Sequence, residues 1–313
     1  MSLSCERGDE TSSVCGNNTP LRIVVHVPKC GGRTIQNHLA RHLGPRFWSV
    51  NKRYRNLPLG LFGRKYDRAT AFPPANILAV SGHSLGRSIE RLFPGRPLVR
   101  TLVLREPENQ VLSWYNFRMM RYINAGLSPY SFQLFLRSMP VDPVTHFLLA
   151  HWYELPWLRI ASLNRIEKRQ LLDSALDQFD AVVDISKTDQ LIAWHSQALG
   201  IPQSAVRAND SESLSRQIGW QPIRWADLNQ TEREELAEHV HFDRYLWRRW
   251  ALKQDIAFDP ATSQPFLRKE LARFVPQIHR RIARRFAVGT GLLRAEPTAT
   301  SPQQKPSLRS RTT

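Results

Sequence analysis

The stretch Arg22–Thr34, RIVVHVPKCGGRT, gathers residue types that bind anions. A β-branched run stops at Pro28, and Lys29, Gly31, Gly32 and Thr34 follow. Paired glycines let a backbone turn tightly and approach a ligand closely. A helix starting just after them aims free N–H groups and a partial positive charge at that ligand. Lys29 adds a point charge and Thr34 a first-turn hydroxyl. This is an anion cradle, although a plain strand-to-helix turn draws on the same residues. A second stretch, LVLREPENQVLSWY at Leu102–Tyr115, carries Arg105 at a strand end and Ser113 on the helix after it. Carboxyl ends of strands face the ligand crevice in an open α/β sheet, so this guanidinium and hydroxyl could share one phosphate. The competing use of Arg105 is an ion pair with Glu106 or Glu108. The third stretch is Ser81–His83, SGH. A histidine at a strand end titrates near neutrality and suits a general base, or it caps a turn.

The elements that must position these groups alternate in type. Apolar runs at Leu21–Val27, 76–83, Leu98–Pro107 and Phe179–Ser186 read as strands. Near-continuous apolar runs suit parallel strands buried on both faces. Helices are expected at about 33–43, from Pro107 onward, and at 129–138, 143–153, 165–178 and 187–199. Thr231 and Glu234 read as a capping box before a long helix to about Lys253. The pattern is that of an α/β fold with a parallel sheet. Residues 45–75 read as an irregular insertion rich in Pro, Gly and Arg. Residues 1–19 form a polar tail and 291–313 a Ser/Thr/Pro/Gln-rich one, both expected to be disordered. Within 256–290 lies a basic amphipathic segment, 266–286, with apolar residues at helical spacing and arginines between them. It docks on a polyanion or an acidic membrane surface as a peripheral contact, or packs with a solvated basic face.

Composition narrows the partners. The net charge is +17, and lysine supplies only eight of the 44 basic residues, so arginine makes the excess. Guanidinium forks suit phosphate, sulfate and carboxylate. The excess points to an anionic ligand, while genomic base composition is the plainer source of the same bias. Three cysteines, an odd number, make no disulfide framework. The N-terminus lacks the apolar core of a signal peptide, and no run approaches the ~20 apolar residues of a membrane span. A cytoplasmic protein of a reducing compartment is expected. The common ATP/GTP loop is excluded as a match, because it needs four residues between its glycines and then Gly-Lys-Ser/Thr.

Taken together, these stretches resemble the sulfotransferases that use 3′-phosphoadenosine 5′-phosphosulfate (PAPS). The closer likeness is to the carbohydrate branch, with the heparan sulfate 2-O- and 6-O-sulfotransferases and bacterial relatives. HVPKCGGRT is similar to that family's first loop, His-Ile-Pro-Lys-Thr-Gly-Gly-Thr-Ser/Thr. LREPENQVLSWY is similar to its second, Leu-Arg-Asp-Pro-x-x-Arg-x-x-Ser-x-Tyr, with about seventy residues between the two. SGH, FDAVVDISKTDQLIAWHSQALG and EHVHFDRYLW resemble further elements, so the likeness covers about 21–253. It implies a three-layer α/β/α, P-loop nucleotide-kinase-like sulfotransferase fold with a central parallel sheet over 20–255, and sulfuryl transfer from PAPS to a hydroxylated acceptor, carbohydrate or otherwise anionic. It implies donor binding by Lys29, Cys30, Gly31, Gly32, Arg33 and Thr34 at the 5′ side, and by Arg105 and Ser113 at the 3′-phosphate. Lys29 would meet charge on the bridging oxygen, and His83 falls near the catalytic histidine of the 2-O type. No metal and no specific nucleic acid are implied.

Three positions depart from the family pattern. Cys30 replaces a threonine, serving as a small residue or as a thiol activated by the helix N-terminus. Arg33 replaces a small hydroxyl residue, and Gln110 replaces an arginine. Arg207, Asn209 and Ser211 resemble a late polar loop near the nucleotide. His26 reads as structural or as a support behind the site residues, and His146 and His151 as packing or acceptor-side residues. The competing readings are a P-loop-type kinase or NTPase, and a non-enzymatic basic protein that binds a polyanion or membrane. Stacked aromatics would mark a nucleic-acid groove, but Trp114, Trp152, Trp157, Trp194 and Trp247 fall mostly on expected helices, where such residues are more often core.

Overall fold

Five strands pair in parallel: β1 (Leu21–Val25), β2 (Phe47–Ser49), β3 (Ala79–Gly82), β4 (Leu98–Leu104) and β5 (Ala181–Asp184), in the order β2-β3-β1-β4-β5. The computed structural model describes residues 19–50, 76–83, 85–203, 215 and 218–254. The expected tails, most of the 45–75 insertion, the loop with Arg207, Asn209 and Ser211, and the 266–286 segment lie outside the described residues.

β1 is the centre of the sheet and every residue in it is buried. Its alternating side chains feed two different cores, because successive Cβ atoms in a strand point to opposite faces. Leu21, Ile23 and Val25 join one cluster with α4 (Pro143–Phe147), α5 (Trp157–Ser162), α6 (Arg165–Leu176) and α9 (His241–Leu246). Val24 joins another with Ile35 and Leu39 of α1 (Gly32–Leu43) and Leu191 and Ile192 of α7 (Thr188–Leu199). Helices therefore cover both faces of a parallel sheet, as the apolar strand runs require. The expected α/β architecture is present. A third cluster is helical: α2 (Pro107–Asn124), α3 (Phe132–Ser138) and α8 (Gln230–His239) meet through Val111, Tyr115, Phe135 and Leu236.

Two expectations need correction. The segment 45–75 is not wholly irregular, since β2 runs through Phe47–Ser49 and pairs with β3. Three residues among prolines and arginines leave too short a pattern to read, and the sheet edge completes the strand. The late helix is neither capped nor continuous as expected. Asn229, not Thr231, caps α8: its Oδ1 accepts from the Glu232 N–H at 2.9 Å, while Glu232 accepts from the Asn229 N–H at 3.1 Å. The helix breaks at Val240, and α9 then runs into a π-type turn at Trp247–Ala251.

The break has a tertiary cause. Asp142, in the left-handed region at φ 50, precedes α4 and points its carboxylate at the start of α9. Its Oδ1 accepts from the Phe242 and Asp243 N–H groups at 2.8 and 3.2 Å. Asp243 returns the favour, accepting from Val144 and Thr145 at the start of α4 at 2.8 and 2.7 Å. Each carboxylate satisfies orphan N–H groups of the other helix. Burial, and then the neighbouring carboxylate, push Asp243 up to about 8, and burial pushes Asp142 up to about 6.

Candidate anion-binding site

All strands run the same way, so their carboxyl ends share one edge of the sheet. β1 leads there to His26 and the Pro28–Gly32 turn, β3 to His83 and β4 to Arg105. β3 and β4 flank β1 on opposite sides. The chain order reverses beside β1, which is where open α/β sheets form their crevice.

The turn is built to leave a helix end open. Lys29 lies in the left-handed region at φ 68 and Gly31 at φ 78. Glycine accepts that geometry without the Cβ penalty. At Gly32 the constraint is space, since a Cβ there would overlap the ring of His26. α1 then starts with no side-chain cap and no acidic residue in its first turn. The first N–H groups of a helix have no intrahelical partner, so this 12-residue helix offers its positive end uncapped.

Two cations sit beside it. Arg105 Nη1 donates to the Lys29 carbonyl at 3.5 Å. Among the described residues neither Lys29 nor Arg105 forms a carboxylate ion pair. Glu108 binds Arg244 instead, with Arg244 Nε donating at 2.8 Å, and Glu106 accepts from Asn109. The ion-pair alternative for Arg105 is thereby removed. Burial, and then the neighbouring Arg105 guanidinium, hold the Lys29 ammonium below its usual pKa; burial does the same to Arg105. Asp184 and Glu106 offset part of the cost at Arg105, but burying two cations is costly where no carboxylate pairs closely with either, and a bound anion would relieve both.

α2 lines this turn through one face. Gln110 Nε2 donates to the Pro28 carbonyl at 3.0 Å, and the Phe117 ring centroid lies 4.3 Å from Lys29 Nζ. Ser113 falls between them at helical spacing, three after Gln110 and four before Phe117, so it shares that face. Gln110, flagged as a departure, thus braces the loop. Its Oε1 is buried without a partner among the described residues.

His83 is oriented by the backbone. Its Nδ1 lies 2.9 Å from the His26 carbonyl oxygen, which can only accept, so Nδ1 carries the proton. The Nε2 lone pair is then the basic site. The His26 and His83 rings lie 3.8 Å apart, tilted by 33°. Burial is the main reason both sit low. His26 falls to about 3, and the Arg33 and Lys29 charges add to the depression at His83. His26 is buried, with Gln36 beside its ring.

Cys30 is fully buried, with burial pushing its thiol up to about 12. It is the small filler and not the activated thiol. Arg33 is exposed and Thr34 half-buried on the first turn of α1. His146 and His151 are on α4 and the turn after it, with His151 stacked on Phe147 at 4.3 Å. Trp152 and Trp157 are core residues, whereas Trp194 is exposed beneath the Arg22 guanidinium. Asp184 ends β5, but its carboxylate accepts from the Trp247 indole at 2.8 Å and the Ser186 N–H at 2.9 Å. Those bonds outweigh burial and keep it below the usual carboxylate range.

Among the described residues no cluster of three or more His, Cys, Asp and Glu could hold a metal ion. None of the described helices is long and apolar enough to cross a membrane. No protein-family model matches the chain, and no curated protein matches it significantly.

Proposed function

We propose that the protein is a PAPS-dependent sulfotransferase acting on a hydroxylated acceptor, a carbohydrate or another anionic molecule, on a P-loop nucleotide-kinase-like fold. The observation that carries the reading is the pair Lys29 and Arg105. Both are desolvated, neither forms a carboxylate ion pair among the described residues, and both adjoin a helix end without a side-chain cap beside His83. The α1 N–H groups and Lys29 take the 5′-phosphosulfate, and Arg105 with Ser113 takes the 3′-phosphate. His83 Nε2 accepts the proton of the acceptor hydroxyl, whose oxygen attacks sulfur. The bond from sulfur to the bridging oxygen breaks, and 3′,5′-adenosine bisphosphate (PAP) leaves with the new charge opposite Lys29. A kinase-type reading is less favoured, since β3 and β4 end in His83 and Arg105 and not in an acid for magnesium.

Calorimetry with PAP, PAPS and ATP tests the reading. PAP should bind and ATP should bind more weakly; ATP binding without PAP binding would replace this proposal with the kinase-type one. Arg105→Ala should weaken PAP about 10- to 100-fold, the size of a charge-assisted hydrogen-bond pair, with little change for adenosine 5′-phosphate. Unchanged PAP affinity in that variant would take Arg105 out of the site.

The pH profile tests His83. The base works only when neutral. Burial, with Arg33 and Lys29, outweighs the raising effect of the His26 carbonyl and keeps its pKa below 6.5. The acid limb of kcat/KM should therefore be centred below pH ~6.5. An acid limb centred at or above pH ~6.5 would assign the base to another group.

A further inference from the structure

We propose that Phe117 is a positioning residue for Lys29, its ring holding the ammonium at the cradle. This deepens the sulfuryl-transfer reading and rests on it for what Lys29 does there.

A lysine ammonium rides on a flexible four-carbon stem. The bonds around Lys29 hold its backbone, through Arg105 on its own carbonyl and Gln110 on the carbonyl before it. None of them restrains Nζ. The ring of Phe117 does, at 4.3 Å from its centroid, within the roughly 6 Å over which a cation and an aromatic face attract. The restraint matters because the Arg105 guanidinium repels the ammonium.

Among the described residues Phe117 joins none of the buried clusters. Val111, Leu112, Tyr115 and Met119 of the same helix enter the helical core, while Phe117 remains 37% exposed. Arg121, one turn further, places its guanidinium 5.8 Å from the same ring. One uncovered aromatic thus serves two cations, and neither forms a carboxylate ion pair among the described residues. The same α2 face that presents Ser113 therefore aims Lys29.

Substitution by a fluorinated phenylalanine series separates this role from packing. Shape barely changes, while each fluorine weakens the attraction of the ring for a cation. Sulfate transfer should fall stepwise from mono- to trifluorophenylalanine, mainly in kcat. Phe117→Leu should lose about 3- to 30-fold, and Phe117→Trp should retain most activity. A flat series, or full activity in Phe117→Leu, would overturn the proposal. A second readout is independent of any reaction. The Lys29 Hε and Cε resonances of the free protein, assigned through Lys29→Ala, should be shifted upfield by the ring current and revert in Phe117→Leu. Unshifted resonances in the wild type would sink the proposal while leaving sulfuryl transfer intact. Failure of PAP binding with the ring-current shift present would sink the sulfuryl-transfer reading alone.

Discussion

Lys29→Ala is expected to lower the turnover of sulfuryl transfer about 100- to 1000-fold, the usual cost of losing one preorganised donor to a developing oxyanion. The loss should appear in kcat more than in the affinity for PAP. On the proposed reading the α1 N–H groups would share the 5′-phosphate charge with Lys29 in the ground state, whereas charge on the bridging oxygen would grow only as the S–O bond breaks. Desolvation of the ammonium strengthens its effect on that oxygen, because a less hydrated site screens less. The fold should survive, since the side chain is only partly buried and alanine meets the same backbone demand at φ 68. The check is steady-state kinetics beside calorimetric titration with PAP. A kcat within about tenfold of wild type, or a loss confined to binding, would reduce Lys29 to an ordinary phosphate contact.

The largest stability effect should come from Asp243→Ala. The substitution strands the Val144 and Thr145 N–H groups at the buried start of α4. An unsatisfied buried donor costs about 1–3 kcal/mol, so the pair costs about 2–6 kcal/mol, less whatever relief Asp142 gains from losing a repelling neighbour. Asp243→Asn keeps one acceptor oxygen and should cost roughly half. The measurement is the midpoint of denaturant unfolding at unchanged slope. A cost below about 0.5 kcal/mol, the range of ordinary surface changes, would refute the cross-capping account. The pH dependence has a definite sign. Both carboxyls sit above their ordinary values in the folded protein, at about 6 and about 8. Their contribution is complete below the unfolded pKa near 3.8 and erodes as the pH rises through 6 to 8. Asp243→Ala should flatten that slope.

Much of the candidate site was legible before any fold was known. Lys29, Gly31, Gly32 and Thr34 are contiguous, and a strand-turn-helix is a local event written in adjacent residues. Pro107 at the first helical position and the apolar runs of β1 and β4 were legible for the same reason. Phe117 was missed although it lies four residues beyond Ser113. Its spacing was a usable signal, but a lone aromatic on a helix reads as core until its exposure is known. β2 was missed because three residues carry no period of their own.

The chain itself determined the element types, the alternation that makes a parallel sheet, and the candidacy of Lys29, His83, Arg105 and Ser113. Tertiary structure alone decided what those side chains face. Glu108 went to Arg244 across the fold, leaving Arg105 without a carboxylate ion pair among the described residues. Burial turned Cys30 from a candidate nucleophile into a filler, and the His26 carbonyl chose the tautomer of His83. Asp142 and Asp243, about a hundred residues apart, broke a helix that local pattern reads as continuous. The physical reason is common to all four. Propensity and capping act over a few residues, whereas desolvation and charge pairing depend on which distant groups the packed sheet brings into contact.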